Sequence, residues 1–395
     1  MNRNNINSPG RRPALRSDAQ QPGLTERIIT ASSKERPADA VLREEFRAQR
    51  DMMPTDIAAV SRTVFNYFRW RGWLDLAKPL PEQIRKSREL AKTFASDPAS
   101  FSDESLVERV APEWLRGELE ITPAWARAIQ AEPKLWLRAQ PGQGRWLCEK
   151  LGAAKLSKEM PEAIHYKGEE DLFQRDEFHD GEFEIQDIAS QAVGWICAPK
   201  PGETWWDTCA GEGGKTLHLS ALMGNKGLIW ASDRAEWRLK SLKLRAARAK
   251  VFNFRAVAWN GDKKPPTKTK FDGILVDAPC SGIGTWQRNP HARWTTDLQD
   301  VQELAAIQKR ILSHAAPSVK PGGKLFYAVC TLTRSETTDV VAEFNAQFAA
   351  EFKPLVQENF SGTKFIWPND LSGNGMFIAG WRRDARITKV DSAGK

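Results

Sequence analysis

Two short apolar runs, Phe271–Val276 and Lys324–Val329, carry the clearest hydrophobic pattern in the chain, and turn residues follow each at once. Runs of this length, leaving through Asp277-Ala278-Pro279-Cys280 and Cys330-Thr331, predict buried parallel strands. Glu203–Trp206 and Leu228–Ser232 predict two more strands, with an apolar helix over Leu217–Met223 between them. Strand and helix patterns alternate from about residue 199 to Trp381, which predicts a parallel sheet covered on both faces. Upstream the period changes. Ile57, Val60, Val64, Phe65 and Phe68 recur at helical spacing, with Thr55 as the expected cap and Trp70 and Trp73 read as core. Leu135–Arg138 predicts a short strand, Arg145–Leu151 a helix stopped by Gly152, and the segment near Ile164 a further strand.

These patterns divide the 395 residues into a polar, disordered leader over 1–36, a helical domain over 37–125, a small α+β unit over 126–178, an α/β domain over 179–384 and a loose tail over 385–395. The net charge of +8 suits a polyanionic partner without identifying one. The five cysteines are odd in number and show neither a Cys-x-x-Cys nor a Cys/His zinc spacing, so free thiols, no metal and a reducing compartment are expected. No apolar run approaches the roughly 20 residues of a membrane span, and Arg3, Arg11, Arg12 and Arg16 have no apolar segment behind them as a secretory signal would. A cytoplasmic monomer is the expectation.

In an open α/β sheet, ligands bind beyond the carboxyl ends of the strands. The Asp207–Thr216 segment, DTCAGEGGKT, sits at such a strand exit and opens a helix. Its glycines allow close backbone approach, and the helix start offers free N–H groups. The spacing is neither that of a phosphate-binding P-loop nor Gly-x-Gly-x-x-Gly. Asp233, ending the next strand, can take the hydroxyls of a ribose. Such a site suits a nucleoside such as S-adenosylmethionine as well as a dinucleotide. Cys280 and Cys330 would reach the same rim from two other strands, and a thiolate there is a strong nucleophile.

With these residues the chain resembles the Sun/Nop2/RsmB-type RNA cytosine-5 methyltransferases of the bacterial 16S ribosomal RNA kind. The likeness rests on Phe183–Gln191, the Asp207–Thr216 loop, Asp277–Gly282, Arg288–Trp294, and Cys330-Thr331-Leu332 with Glu336, and it covers about residues 113 to 381. Phe65–Gly72 is similar to part of the NusB-like helical domain of that family, and the 126–178 unit to its RNA-binding subdomain. The resemblance implies a Rossmann-like methyltransferase domain, S-adenosylmethionine as cofactor and RNA as partner. It makes Cys330 the nucleophile toward carbon 6 of cytosine. Cys280 would assist breakdown of the adduct, and Asp277 would hydrogen-bond the exocyclic amine or ring nitrogen 3. The backbone of Cys209, Ala210, Gly211, Glu212, Gly213, Gly214 and Lys215 would hold the methionine end, and Asp233 the ribose. Arg138, Arg288 and Arg293 are candidate phosphate contacts. The chain departs from the family pattern at Gly211-Glu212, where Ala-Pro is usual, at Val329 and Thr337, and at Asn260, which stands where an acid is usual near the adenine. Transfer RNA as substrate, and a non-catalytic ribosome assembly factor, are the competing readings. A DNA cytosine methyltransferase fits poorly, because a second cysteine follows a separate strand.

Overall fold

The computed structural model describes residues 21–49 and 51–386. The chain forms two compact units that divide between Ser96 and Asp97. In the first, helices α1 (Gln21–Ala31), α2 (Ala38–Ala48), α3 (Pro54–Trp70) and α4 (Leu80–Ser96) bury Ile28, Val41, Val60, Val64 and Trp70. The α3 stripe is the expected one, but its start is not. Pro54 occupies the first helical turn after Met53, which leaves Thr55 inside the helix and not capping it. The leader expected to be disordered over 1–36 contains α1, because Leu24, Ile28 and Ile29 make a buried stripe that its polar composition conceals. Residues 1–20 and 387–395, which carry the rest of the two tail expectations, lie outside the described residues.

The second unit opens with α5 (Asp103–Arg109) and α6 (Pro123–Gln130), capped by the Ser102 and Thr122 hydroxyls. The helical block expected over 37–125 therefore splits at Ser96. A small antiparallel sheet follows, ordered β2-β3-β1-β4, from β1 (Leu135–Ala139), β2 (Ala154–Leu156), β3 (Ala163–Tyr166) and β4 (Phe183–Ile185). Helix α7 (Gly144–Leu151) contributes Leu147 and Leu151 to the core of this sheet and stops at Gly152, whose φ is 68°. After the short α8 (Asp176–His179), β4 closes the small sheet by pairing with β1, although its sequence position suggested the next domain. Gln191 of α9 (Ile188–Cys197) donates to the carbonyls of Leu137 and Gln186, and Asp187 caps α9, so the Phe183–Gln191 segment locks the small sheet to the larger one.

The large sheet runs β11-β12-β13-β14-β9-β8-β5-β6-β7, with β10 also on β14. Its five central strands are parallel: β5 (Thr204–Asp207), β6 (Leu228–Asp233), β7 (Phe254–Ala258), β8 (Phe271–Asp277) and β9 (Val319–Val329). Beyond β9 the edge turns antiparallel through β10 (Phe352–Pro354), β11 (Val356–Gln357), β12 (Phe360–Ser361), β13 (Thr363–Ile366) and β14 (Met376–Arg383). Ile274, Val276, Tyr327 and Val329 face one core, and Leu275, Phe326 and Ala328 the other. Burial on both faces is why β8 and β9 read as continuous apolar runs. Gly273 lies against the Trp205 ring, and a Cβ there would come within 2.3 Å of it. Helices α10 (Gly214–Leu222), α11 (Glu236–Arg248), α12 (Ala292–Thr295), α13 (Leu298–Ala315) and α14 (Thr338–Phe348) connect the strands. Strand order reverses between β5 and β8, and that switch point is where an α/β sheet opens a crevice.

Candidate active site

The exits of β8 and β9 bring Cys280 and Cys330 together, with 3.1 Å between their sulfur atoms. The loops that carry them are tied to each other. Gly284 N–H donates to the Cys330 carbonyl at 3.0 Å, and the Ser281 and Thr331 hydroxyls are 3.0 Å apart. Both loops converge on Glu336, which is fully buried. Its Oε1 accepts from Ser281 N at 2.9 Å and Gln308 Nε2 at 2.8 Å; its Oε2 accepts from Thr331 Oγ1 at 3.1 Å, Thr333 Oγ1 at 2.9 Å and the Ser281 hydroxyl. The sequence marked Glu336 only as part of a motif. That it staples two loops fifty residues apart is visible only in the fold.

The two thiols are not equivalent. A hydrogen bond from Cys280 favours the Cys330 thiolate and lowers its pKa against the opposing effect of burial, with Lys215 adding to the lowering. The same hydrogen bond, together with burial, pushes Cys280 well up. Cys209, on the β5 loop, is raised by burial to about 12. The arrangement thus favours the thiolate on Cys330 over that on Cys280, which stands beside it as a thiol donor. Asp277, at the end of β8, accepts a hydrogen bond from Lys215 Nζ at 2.6 Å. Burial opposes the charge on Lys215, but Asp277 outweighs it and the net shift is upward. This pair was not foreseen, since the sequence gave Lys215 only a backbone role.

A cavity of about 380 Å³ opens beside the cysteines, within the size range of small-ligand sites. Thr208, Cys209, Ala210 and Gly211 line it from the β5 loop, and Asp277, Ala278, Pro279 and Cys280 from the β8 exit. Asp233, Trp259, Asn260, Ile307, Ile311 and Cys330 add further wall. Gly211 has a φ of 54°, the left-handed region that favours glycine, and a Cβ there would meet nothing within 4 Å. Asp233 is buried at the β6 tip and accepts from Gly211 N at 3.0 Å and Ala235 N at 2.8 Å. Of the residues selected from sequence, Cys209, Ala210, Gly211, Asp233, Asn260, Asp277, Cys280 and Cys330 share this cavity, whereas Glu212, Gly213, Gly214 and Lys215 do not line it. Glu212 is exposed and stands outside the cavity lining. Arg234, Arg238 and Arg310 also line the cavity and were missed; Arg234 follows Asp233 directly, which is the one local signal for them.

Two candidate phosphate contacts are placed elsewhere. Arg293 is fully buried and donates to the carbonyls of Val110 and Ile129 at 3.0 Å and to Gln130 Oε1 at 2.6 Å. Arg138 is buried on Gln186 Oε1 at 2.7 Å, and burial pulls its pKa down to about 10. Both arginines organise protein backbone and side chains, and neither presents its head to a ligand. A guanidinium has enough donors to satisfy several buried acceptors, so a motif arginine can be structural. Arg288 remains at the surface of its loop.

The family model described as 16S rRNA methyltransferase RsmB/F matches residues 195–382. A probable ribosomal RNA small subunit methyltransferase B of Synechocystis sp. is 32% identical over 333 residues, which are 79% of this chain and 73% of that one. The chain spans 49% to 65% of the length of four further relatives. Among crystal structures, PH0851 superposes with a TM-score of 0.75 at 24% identity, covering 93% of this chain and 99% of that one. A methyltransferase homolog protein from Pyrococcus horikoshii does so at 0.58 and 27%, covering 66% and 90%. The chain belongs to the RsmB/F family of 16S rRNA methyltransferases.

Proposed function

We propose that the protein transfers a methyl group from S-adenosylmethionine to carbon 5 of a cytosine in RNA, with 16S ribosomal RNA as the substrate. The observation that carries this reading is the meeting of Cys280 and Cys330, from two separate strands, beside a nucleoside-sized cavity. The cavity residues fit the cofactor. Asp233 presents a carboxylate for the ribose, Trp259, Ile307 and Ile311 give apolar wall for the adenine with Asn260 beside them, and the Cys209–Gly211 backbone offers a close approach for the methionine end. When bound, S-adenosylmethionine supplies an electrophilic methyl group and leaves as a neutral thioether.

Carbon 5 of cytosine is a weak nucleophile until the ring is activated. In this reading the Cys330 thiolate adds to carbon 6, forming a carbon–sulfur bond and moving the ring's electron pair toward nitrogen 3. The Asp277 carboxylate, positioned by Lys215, accepts a hydrogen bond from the exocyclic amine, or from nitrogen 3 once the charge developing there has taken up a proton. The enamine so formed lets carbon 5 take the methyl group. Loss of the carbon 5 proton to a base near Cys280 then returns the electrons. They break the carbon–sulfur bond and release Cys330 as thiolate. The target base must be unstacked or single-stranded to reach the cavity.

The test uses the Cys280→Ala variant, total RNA and S-adenosylmethionine, with a denaturing gel as readout. A protein–RNA adduct that disappears when Cys330 is also changed to Ala is the expected result, and sequencing the trapped RNA names the target. A folded variant that binds cofactor by calorimetry yet traps no RNA would count against this division of labour. Absence of cofactor binding would favour a non-catalytic assembly factor.

A further inference from the structure

Arg234, Arg238 and Arg310 border the cavity at its Asp233, Trp259 and Asn260 end. Arg238 lies 4.0 Å from Asp233, while no side-chain hydrogen bond or ion pair holds Arg234 or Arg310 among the described residues. The adenosine end of the cofactor is uncharged, so it gives these guanidinium groups no anion. The positive charge continues along α11, which carries five basic residues against one acid, Glu236. Arg245 and Arg248 are consumed inward by Glu184. Lys240 and Lys243 point outward and are exposed, and Glu236, one turn before Lys240, is not within ion-pair distance of it. On the same stripe Trp237 is 58% exposed and Leu244 75% exposed, and the Arg238 guanidinium sits 5.3 Å from the Trp237 ring. An exposed aromatic plane between cations is the surface that single-stranded nucleic acid uses, phosphates on the cations and a base on the ring.

We propose that Arg234, Trp237, Arg238, Lys240 and Lys243, with Arg310 at the same cavity, form a track for the single-stranded RNA that flanks the target cytosine. The track rests on the reading of RNA as substrate and extends it from the reacting base to the neighbouring nucleotides. Charge complementarity selects this occupant, because the exposed cations Arg234, Arg238, Lys240 and Lys243 outnumber the one free acid of the stripe, Glu236, and its apolar residues are flat or singly spaced.

The full chain, saturated with cofactor, is titrated with an in vitro transcript of 16S ribosomal RNA at several salt concentrations. Wild type is compared with Trp237→Ala and with the double variant Lys240→Glu/Lys243→Glu. Loss of two phosphate contacts on a single strand is expected to flatten the log–log dependence of affinity on salt by about 1.4. Loss of one stacked base is expected to weaken binding by about 5- to 150-fold with the slope retained. Cofactor affinity, read by calorimetry, stays at the wild-type value, and the loss in methyl transfer falls on KM for RNA and not on kcat. Folded variants that bind cofactor and bind the transcript with wild-type affinity and slope would overturn the track, even while wild type methylates RNA. A wild-type chain that does not bind the transcript, with a folded Cys280→Ala variant that traps none of it, would overturn the functional reading, and the track with it.

Discussion

Replacing Glu336 tests whether the cysteine geometry is held by a buried carboxylate. In Glu336→Ala, five donors from Ser281, Thr331, Thr333 and Gln308 lose their acceptor in a site without solvent. Each hydrogen bond to a charged group is worth about 1.5–3 kcal/mol, but they share one partner and do not add. Breaking a buried charged network typically costs about 3–5 kcal/mol, which at roughly 2–4 °C per kcal/mol would lower the melting temperature by about 6–20 °C. In Glu336→Gln two of the three hydroxyls on the Oε2 side can turn to accept from the two amide N–H groups, while Oε1 still receives Ser281 N and Gln308. The conservative variant should therefore lose only about 1–3 kcal/mol. Activity should respond more steeply than stability. The two loops would no longer be fixed, and misplacement of a reacting group by about 1 Å costs on the order of 100-fold. The assay is turnover of Glu336→Ala below its melting temperature, with cofactor binding as a control and Glu336→Gln as partial rescue. Full turnover and an unchanged melting temperature in Glu336→Ala would refute the staple.

Alkylation of Cys330, followed by mass spectrometry against pH, should show a midpoint below that of an ordinary thiol. Cys280→Ala removes the donor that favours the thiolate and should move that midpoint upward; a fixed or falling midpoint contradicts the pairing. Asp207, buried at the β5 exit with one carboxylate oxygen unpaired, is raised by burial to about 7 despite its hydrogen bond from Thr216. The folded chain keeps that proton while the unfolded chain loses it near the ordinary value of 3.8, so stability should fall as pH rises from about 4 to 7 and level off above. Asp207→Asn should flatten denaturant stability over that window, and an unchanged slope would show that another group governs it. Arg293→Met should destabilise the chain by about 2–5 kcal/mol, by stranding its buried acceptors, and leave the RNA affinity of the folded protein intact. Lost RNA affinity with wild-type stability would restore Arg293 as a phosphate contact.

The parallel core was legible before folding because β8 and β9 are buried on both faces and must be apolar throughout, and their exits are marked by Asp277, Cys280 and Cys330. The glycine loop and Asp233 were legible for the same local reason: a glycine turn that opens a helix and an acid at a strand tip are each written in a few consecutive residues. The tertiary structure decided what depends on distant partners. It brought Cys280 to 3.1 Å from Cys330, fifty positions away, and Glu336 beneath both loops. It buried Arg138 and Arg293 and left Arg234 and Arg310 facing the cavity, although nothing in their immediate sequence distinguishes the two pairs. It left Glu212 exposed and outside the cavity lining, although its neighbour Gly211 belongs to that lining. A side chain's type follows from local pattern, but its partner and its exposure follow from how strands remote in sequence are ordered in the sheet.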